Sequence, residues 1–354
     1  MYTIDTSHPV LVTGATGYVA GWIVKLLLEA GVTVHAAVRN PDDTAKVSHL
    51  KAMGAKSPGE IRFFKADLLD EGSYAQAMAD CAVVFHTASP FTSKISDPQT
   101  ELVDPALLGT RNVLNQASKT PSVKRVVLTS SCVAIYGDNA DLSVLPGGVL
   151  TEEVWNMSSS LQHQAYSYSK TVAEREAWML ADAQDQWDLV TINPSLVIGP
   201  GTKPTATSES FSIVKQLGDG TMSTGAPRYG IGVVDVREVA EAHLAAAFLS
   251  SAQGRHILSG TNTDFLEMGL ALSDRFGKSH PLPKRAAPKF LIWLIGPLLN
   301  KNLTRKVVSL NVDVPWKADN SKSIRDLGIN YRPMQESLEE MFQQMIDSGQ
   351  VKRG

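Results

Sequence analysis

The sequence predicts a doubly wound α/β fold, and three observations carry that expectation. From residue 10 to 197, short β-branched runs alternate with helix-patterned segments, the order that builds a parallel sheet covered by helices on both faces. The first run ends in a glycine-rich turn that opens a helix, Thr13-Gly14-Ala15-Thr16-Gly17. A chain of 354 residues, 43% hydrophobic and 19% charged, has the composition and length to bury a full core.

Taken in order, the expected strands are 10–13, 32–38, 61–65, 83–86, 126–130 and 189–193, each a compact apolar run bounded by polar or turn residues. Six parallel strands suffice for the two mononucleotide-binding halves of a Rossmann-type sheet. The first helix, 19–30, shows Val19, Ile23, Leu26, Leu27 and Ala30 at helical spacing and stops at Gly31. After Gly199 a Gly-, Pro-, Ser- and Thr-rich stretch runs to about Gly230, the kind of long loop that covers a binding site. Helices near 236–249, 265–276 and 334–346 complete a smaller C-terminal α/β part. Residues 1–200, with a returning segment near 231–262, are expected to bind the cofactor, and 201–230 with 263–354 the substrate.

Charge excludes some partners. The net −3 comes from 33 basic and 36 acidic residues spread along the chain, so neither a nucleic acid nor a membrane is the expected partner. The apolar stretch 290–299 contains Gly296 and Pro297 and is half the ~20 residues a span needs; it reads as a buried helix or turn. The only cysteines, Cys81 and Cys132, have no metal-type spacing and fit a reducing cytoplasm. No metal site is expected, and the protein reads as a monomer or homodimer.

The turn Thr13, Gly14, Thr16, Gly17, with Tyr18 and Val19 behind it, follows a strand and precedes a helix, the context a dinucleotide fingerprint requires. Gly14 allows the tight turn and Gly17 the approach of a pyrophosphate to the helix N-terminus; Ala20 stands at the third glycine position. An NAD-binding protein places an acidic residue after the second strand to hold the ribose 2′-hydroxyl. This chain reads Val38-Arg39, and a guanidinium there, helped by Lys46, suits a 2′-phosphate, hence NADP(H). Strand order sets Asp67 and Leu68 near the adenine and Thr87, Ala88 and Ser89 near the ribose.

Tyr166 and Lys170 stand four apart in a helix-patterned stretch and share one face. The ammonium favours the phenolate and brings proton exchange within reach, and Lys170 also binds the ribose. Tyr168 has Val172, not Lys, four residues on. Ser131, after the fifth strand, can donate a hydrogen bond to a substrate carbonyl. Phe91, Tyr136 and Phe211, with Ser131 and Tyr166, are expected around the substrate, although core packing accounts for Phe211 equally well. His86 reads as a packed core histidine and Cys132 as an inert small hydrophobe.

These segments, with Lys65-Ala66-Asp67-Leu68-Leu69-Asp70, Phe85-His86-Thr87-Ala88-Ser89-Pro90 and Asn193-Pro194-Ser195-Leu196-Val197-Ile198-Gly199-Pro200, resemble the extended short-chain dehydrogenases/reductases. The resemblance is greatest to the branch of dihydroflavonol 4-reductases, cinnamoyl-CoA reductases and methylglyoxal or aldehyde reductases. It implies the triad Ser131, Tyr166, Lys170, with Ser131 rather than Ser130, Arg39 and Lys46 at the 2′-phosphate, and Pro194, Ser195, Leu196 and Val197 beside the nicotinamide. Pro105-Ala106 stands where sugar epimerases carry Asn, favouring a reductase. His163-Gln164-Ala165-Tyr166-Ser167-Tyr168-Ser169-Lys170 replaces the cinnamoyl-CoA reductase signature, and Tyr136 stands where plant dihydroflavonol reductases usually carry Asn. The expected reaction is therefore NADPH-dependent reduction of a free aldehyde or ketone. The alternatives are an NAD-dependent sugar-nucleotide epimerase or 3β-hydroxysteroid dehydrogenase, and a non-catalytic NADP sensor, which would not need the intact triad.

Overall fold

The computed structural model describes residues 2–89, 95–206 and 208–352. The first half alternates strictly: β1 (Val10–Thr13), α1 (Tyr18–Glu29), β2 (Val34–Val38), α2 (Thr44–Gly54), β3 (Ile61–Lys65), α3 (Ala75–Met78), β4 (Val83–His86), α4 (Asp104–Ser118) and β5 (Arg125–Thr129). Then follow α5 (Ala165–Asp182), β6 (Asp188–Pro194), β7 (Leu196–Ile198), α6 (Glu209–Gly218), β8 (Gly230–Asp235), α7 (Val236–Phe248), β9 (Gly254–Leu258) and β10 (Thr261–Asp264). The chain closes with α8 (Phe265–Ala271), α9 (Ser273–Phe276), α10 (Lys289–Leu299), α11 (Arg305–Asn311), α12 (Ser321–Leu327) and α13 (Met334–Asp347).

The main sheet has seven strands in the order β3-β2-β1-β4-β5-β6-β9, all parallel. The order reverses between β1 and β4, which opens a crevice at their carboxyl ends. The six expected strands are present, and β9 adds a seventh. Strands β1, β2 and β4 are buried throughout, because helices cover both faces. Val12, Ile23, Leu27, Phe85 and Val239 pack on one side, and Leu11, Val84, Val113, Leu114 and Val126 on the other.

A second sheet, β10-β8-β7, begins one residue beyond β6, so Ser195 is where the chain leaves one sheet for the other. Helices α6, α8 and α13 cover it through Phe211, Val214, Met268, Met341 and Phe342. The stretch after Gly199 is thus not loop throughout: α6 forms within it, capped by Ser208, whose hydroxyl accepts from Phe211 N. The helix expected at 265–276 is two short helices meeting at Leu272.

The stretch 290–299 departs further from expectation. It is helical, as part of α10, but among its residues only Gly296 is buried. Its hydrophobicity runs all round the helix, which ordinarily marks a core element, yet it packs chiefly on α11.

Candidate active site

The glycine-rich turn joins β1 to α1. Gly14 has φ +62°, and a Cβ there would meet Ala88 at 3.0 Å, so conformation and space both require glycine. Gly17 caps α1 without a side-chain acceptor, leaving the first amides of the helix available to an anion. Thr16, Gly17 and Tyr18 share a pocket with Thr202, Lys203 and Ala206. The covering segment is tied to α1, where the Tyr18 hydroxyl donates to Gly199 O at 2.5 Å and Trp22 Nε1 to Pro200 O at 2.8 Å. Val19 is half-buried in the first turn.

Thr13 is wholly buried and fastens β1 to β4. Its Oγ1 accepts from the amides of Thr87 (3.1 Å) and Ala88 (3.0 Å) and lies 3.0 Å from His86 Nδ1. With both acceptor positions used, the hydroxyl donates to Nδ1, which keeps His86 neutral. Burial and then the Lys170 charge push that histidine down to about 3. The Thr13 side chain therefore builds the crevice wall instead of facing it.

Arg39 is exposed at the end of β2 and in no ion pair among the described residues. Lys46 is exposed too and pairs with Asp43 at 3.2 Å. Asp67 holds its own turn by accepting from Leu69 N at 2.9 Å, and Leu68 lies against Gly109 of α4. The Ser195 hydroxyl is buried with no hydrogen-bond partner among the described residues. That hydroxyl at the sheet switch, the uncapped α1 and the Gly14 cradle are features that fit a dinucleotide.

Tyr166 and Lys170 lie on one face of α5. Tyr166 has 40% of its surface open, and Lys170 Nζ is 5.9 Å from its ring centre. Lys170 donates to Ser89 Oγ at 3.0 Å. Burial pushes Lys170 down to about 8, with Glu174 opposing. In the chain by itself, Tyr166 is pushed up to about 12 by burial of its hydroxyl and then by Glu209. The chain by itself thus holds Tyr166 protonated, the form a proton donor needs.

Behind Lys170, buried Glu174 receives four donors. Arg255 Nε (2.6 Å) and Trp178 Nε1 (3.4 Å) reach one oxygen, and Asn193 Nδ2 (2.7 Å) and the Ser130 hydroxyl reach the other. Ser130 is thereby committed. Ser131 Oγ accepts from Val133 N at 3.3 Å, and its own proton has no acceptor among the described residues. A cavity of about 20 Å³ bounded by His86, Ser89, Ser130, Lys170 and Glu174 is large enough for one water.

A second buried cluster holds the start of α5. Asp138 accepts from Asn311 Nδ2 (2.6 Å) and from Gln164 Nε2 (3.3 Å), and lies 2.6 Å from His163 Nε2. Gln164 itself sits at φ +57°, strain that persists only where neighbours hold it. Sequence reading did not find these residues, which lie up to 173 positions apart. Glu174 had a visible signal, since it follows Lys170 by four on the same face.

Two expected substrate residues are packed elsewhere. Phe211 is 3% exposed and edge-on to Tyr18 at 5.2 Å; Tyr136 is 8% exposed against Trp316 at 5.8 Å. Core packing accounts for both, and neither side chain is open to a substrate. Phe91 lies outside the described residues.

Residues 10–258 match the NAD dependent epimerase/dehydratase family. The chain belongs to that family. Among its relatives, a Medicago truncatula cinnamoyl-CoA reductase is 38% identical, covering 91% of this chain and 98% of the relative. An Arabidopsis thaliana tetraketide alpha-pyrone reductase is 35% identical over 96% of each. The crystal structure of yeast methylglyoxal/isovaleraldehyde reductase complexed with NADPH is 25% identical, with a TM-score of 0.76 over 97% of this chain and 100% of that one. The resemblance to extended short-chain reductases is thus met, and the chain is an oxidoreductase of that kind.

Proposed function

We propose that this protein reduces an aldehyde or ketone to the alcohol with NADPH, reversibly. What supports the reading is Tyr166 and Lys170 on one face of α5, with Lys170 donating to Ser89 after β4, together with a Ser131 hydroxyl after β5 whose proton has no acceptor among the described residues. Ser89 and Ser131 follow the carboxyl ends of β4 and β5, the end of the sheet where α/β proteins bind ligands.

Arg39 would hold the 2′-phosphate, the α1 N-terminus the pyrophosphate, Lys170 the ribose, and the 194–197 backbone the nicotinamide. When bound, the cofactor supplies the hydride. Ser131 donates a hydrogen bond to the carbonyl oxygen and stabilises negative charge developing there. Tyr166 gives its proton to the same oxygen, and Lys170, positively charged below about pH 8, stabilises the phenolate that remains. The absence of a signature for CoA around Tyr166 supports a free carbonyl over a thioester.

Loss of NADPH absorbance over a panel of aldehydes, diketones, aryl ketones and one aryl-CoA thioester tests this. Turnover that falls about 10²–10⁴-fold in Tyr166→Phe, with NADPH binding retained, is expected. Silence on every carbonyl despite confirmed NADPH binding would refute it, and preference for the thioester would refute the substrate class.

A further inference from the structure

Seven of the fifteen large apolar side chains left exposed among the described residues stand on α10: Phe290, Leu291, Trp293, Leu294, Ile295, Leu298 and Leu299. The helix has one main partner, α11. Leu303 packs at Gly296, and Lys289 Nζ donates to Ser309 O at 3.1 Å. Apolar surface gathered in one place marks an interaction site.

The surroundings of the helix identify what it meets. Residues 284–306 contain Lys284, Arg285, Lys289, Lys301, Arg305 and Lys306, and no Asp or Glu occurs between Asp274 and Asp313. None of these six cations is in an ion pair among the described residues. Five of the six are exposed, all but Lys289. In a chain of net charge −3, this is a local concentration of positive charge around an apolar face.

We propose that the α10–α11 hairpin docks on an anionic bilayer surface. The apolar side chains enter the boundary between headgroups and acyl chains, and the cations meet lipid phosphates. Trp293, with the Arg305 guanidinium 4.6 Å from its ring centre, has the amphipathic character of an interfacial anchor. The helix lies on the membrane and does not cross it: its 11 residues extend about 16 Å against a ~30 Å core, and no described helix is long and apolar enough to span. A second copy on the same face would bring two basic rims together, which opposes pairing.

Both feet of the hairpin stand on one segment. Ala286 bridges Ala226, and Val312 bridges Tyr229. Tyr229 is also hydrogen-bonded to Gln164, two residues before Tyr166. The docking face therefore belongs to the substrate side of the molecule. The proposal departs from the expectation drawn from overall charge, which averages away a local run of cations.

The full chain is sedimented with vesicles of phosphatidylcholine alone and of phosphatidylcholine with phosphatidylglycerol. Binding is expected to the anionic vesicles, weakening as salt rises, with a blue shift in emission that disappears in Trp293→Phe. Lys301→Gln/Arg305→Gln/Lys306→Gln loses about fivefold per cation, on the order of a hundredfold in all, and Leu294→Glu/Leu298→Glu abolishes binding. Thermal melting of both variants matches the parent, because the altered side chains are exposed. Failure to bind anionic vesicles overturns the proposal, as does equal, salt-insensitive binding to both. A dimer that Leu294→Glu/Leu298→Glu converts to monomer, without vesicle binding, would assign the face to a second copy instead.

Discussion

Replacing Glu174 by Gln tests how the interior of the protein supports its catalytic face. The carboxylate accepts from Arg255 and Trp178 on one oxygen and from Ser130 and Asn193 on the other. Glutamine keeps the volume, but its amide must point an NH₂ at one of those donor pairs whichever way it turns. Arg255, 7% exposed, loses its counter-charge, and breaking a buried pair in this way costs about 3–5 kcal/mol. For 354 residues, an unfolding entropy of about 2.1 cal/mol/K per residue converts that into a Tm lower by about 4–7 °C. Glu174 also sustains the charge on Lys170, so the variant's Lys170 falls further below about 8. The basic limb of the kcat profile therefore moves to lower pH. Calorimetry and NADPH-coupled rates across pH measure both effects. A Tm within 1 °C of the parent, or a basic limb that stays in place, would show that Glu174 does not do what its contacts imply.

Three further outcomes follow from the same geometry. Ser131→Ala should reduce kcat about 10²–10³-fold, whereas Ser130→Ala should mainly lower stability by about 1–3 kcal/mol; equal kinetic losses would contradict their different hydrogen bonding. Arg39→Ala should raise KM for NADPH about 10- to 100-fold, the worth of a charged hydrogen bond, while leaving NADH almost untouched; a parallel change in both cofactors would remove Arg39 from the 2′-phosphate. Burial depresses His86 to about 3, and His243 and His256 to about 4. Below the unfolded value of ~6.5 the unfolded chain binds protons the folded one refuses, so stability falls with pH by about 1.4 kcal/mol per unit for each histidine. Urea midpoints flat between pH 6.5 and 4 would be inconsistent with neutral, buried rings.

How much of this was legible in the sequence depends on the range over which each determinant acts. The strands, the Gly14–Gly17 turn and the Tyr166–Lys170 face were readable, because apolar period, left-handed φ and helical spacing are properties of neighbouring residues. Tertiary structure alone decided the rest. It joined Glu174 to Arg255 and Asp138 to Asn311, buried Tyr136 and Phe211, and turned Thr13 inward. It also set the Lys170 ammonium on Ser89 and buried the Tyr166 hydroxyl, which raises that phenol above its ordinary value. The α10 helix is the clearest case. Its apolar composition was plain in the sequence, but composition states only that such a surface avoids water, and whether protein or some other partner covers it depends on what the fold brings alongside.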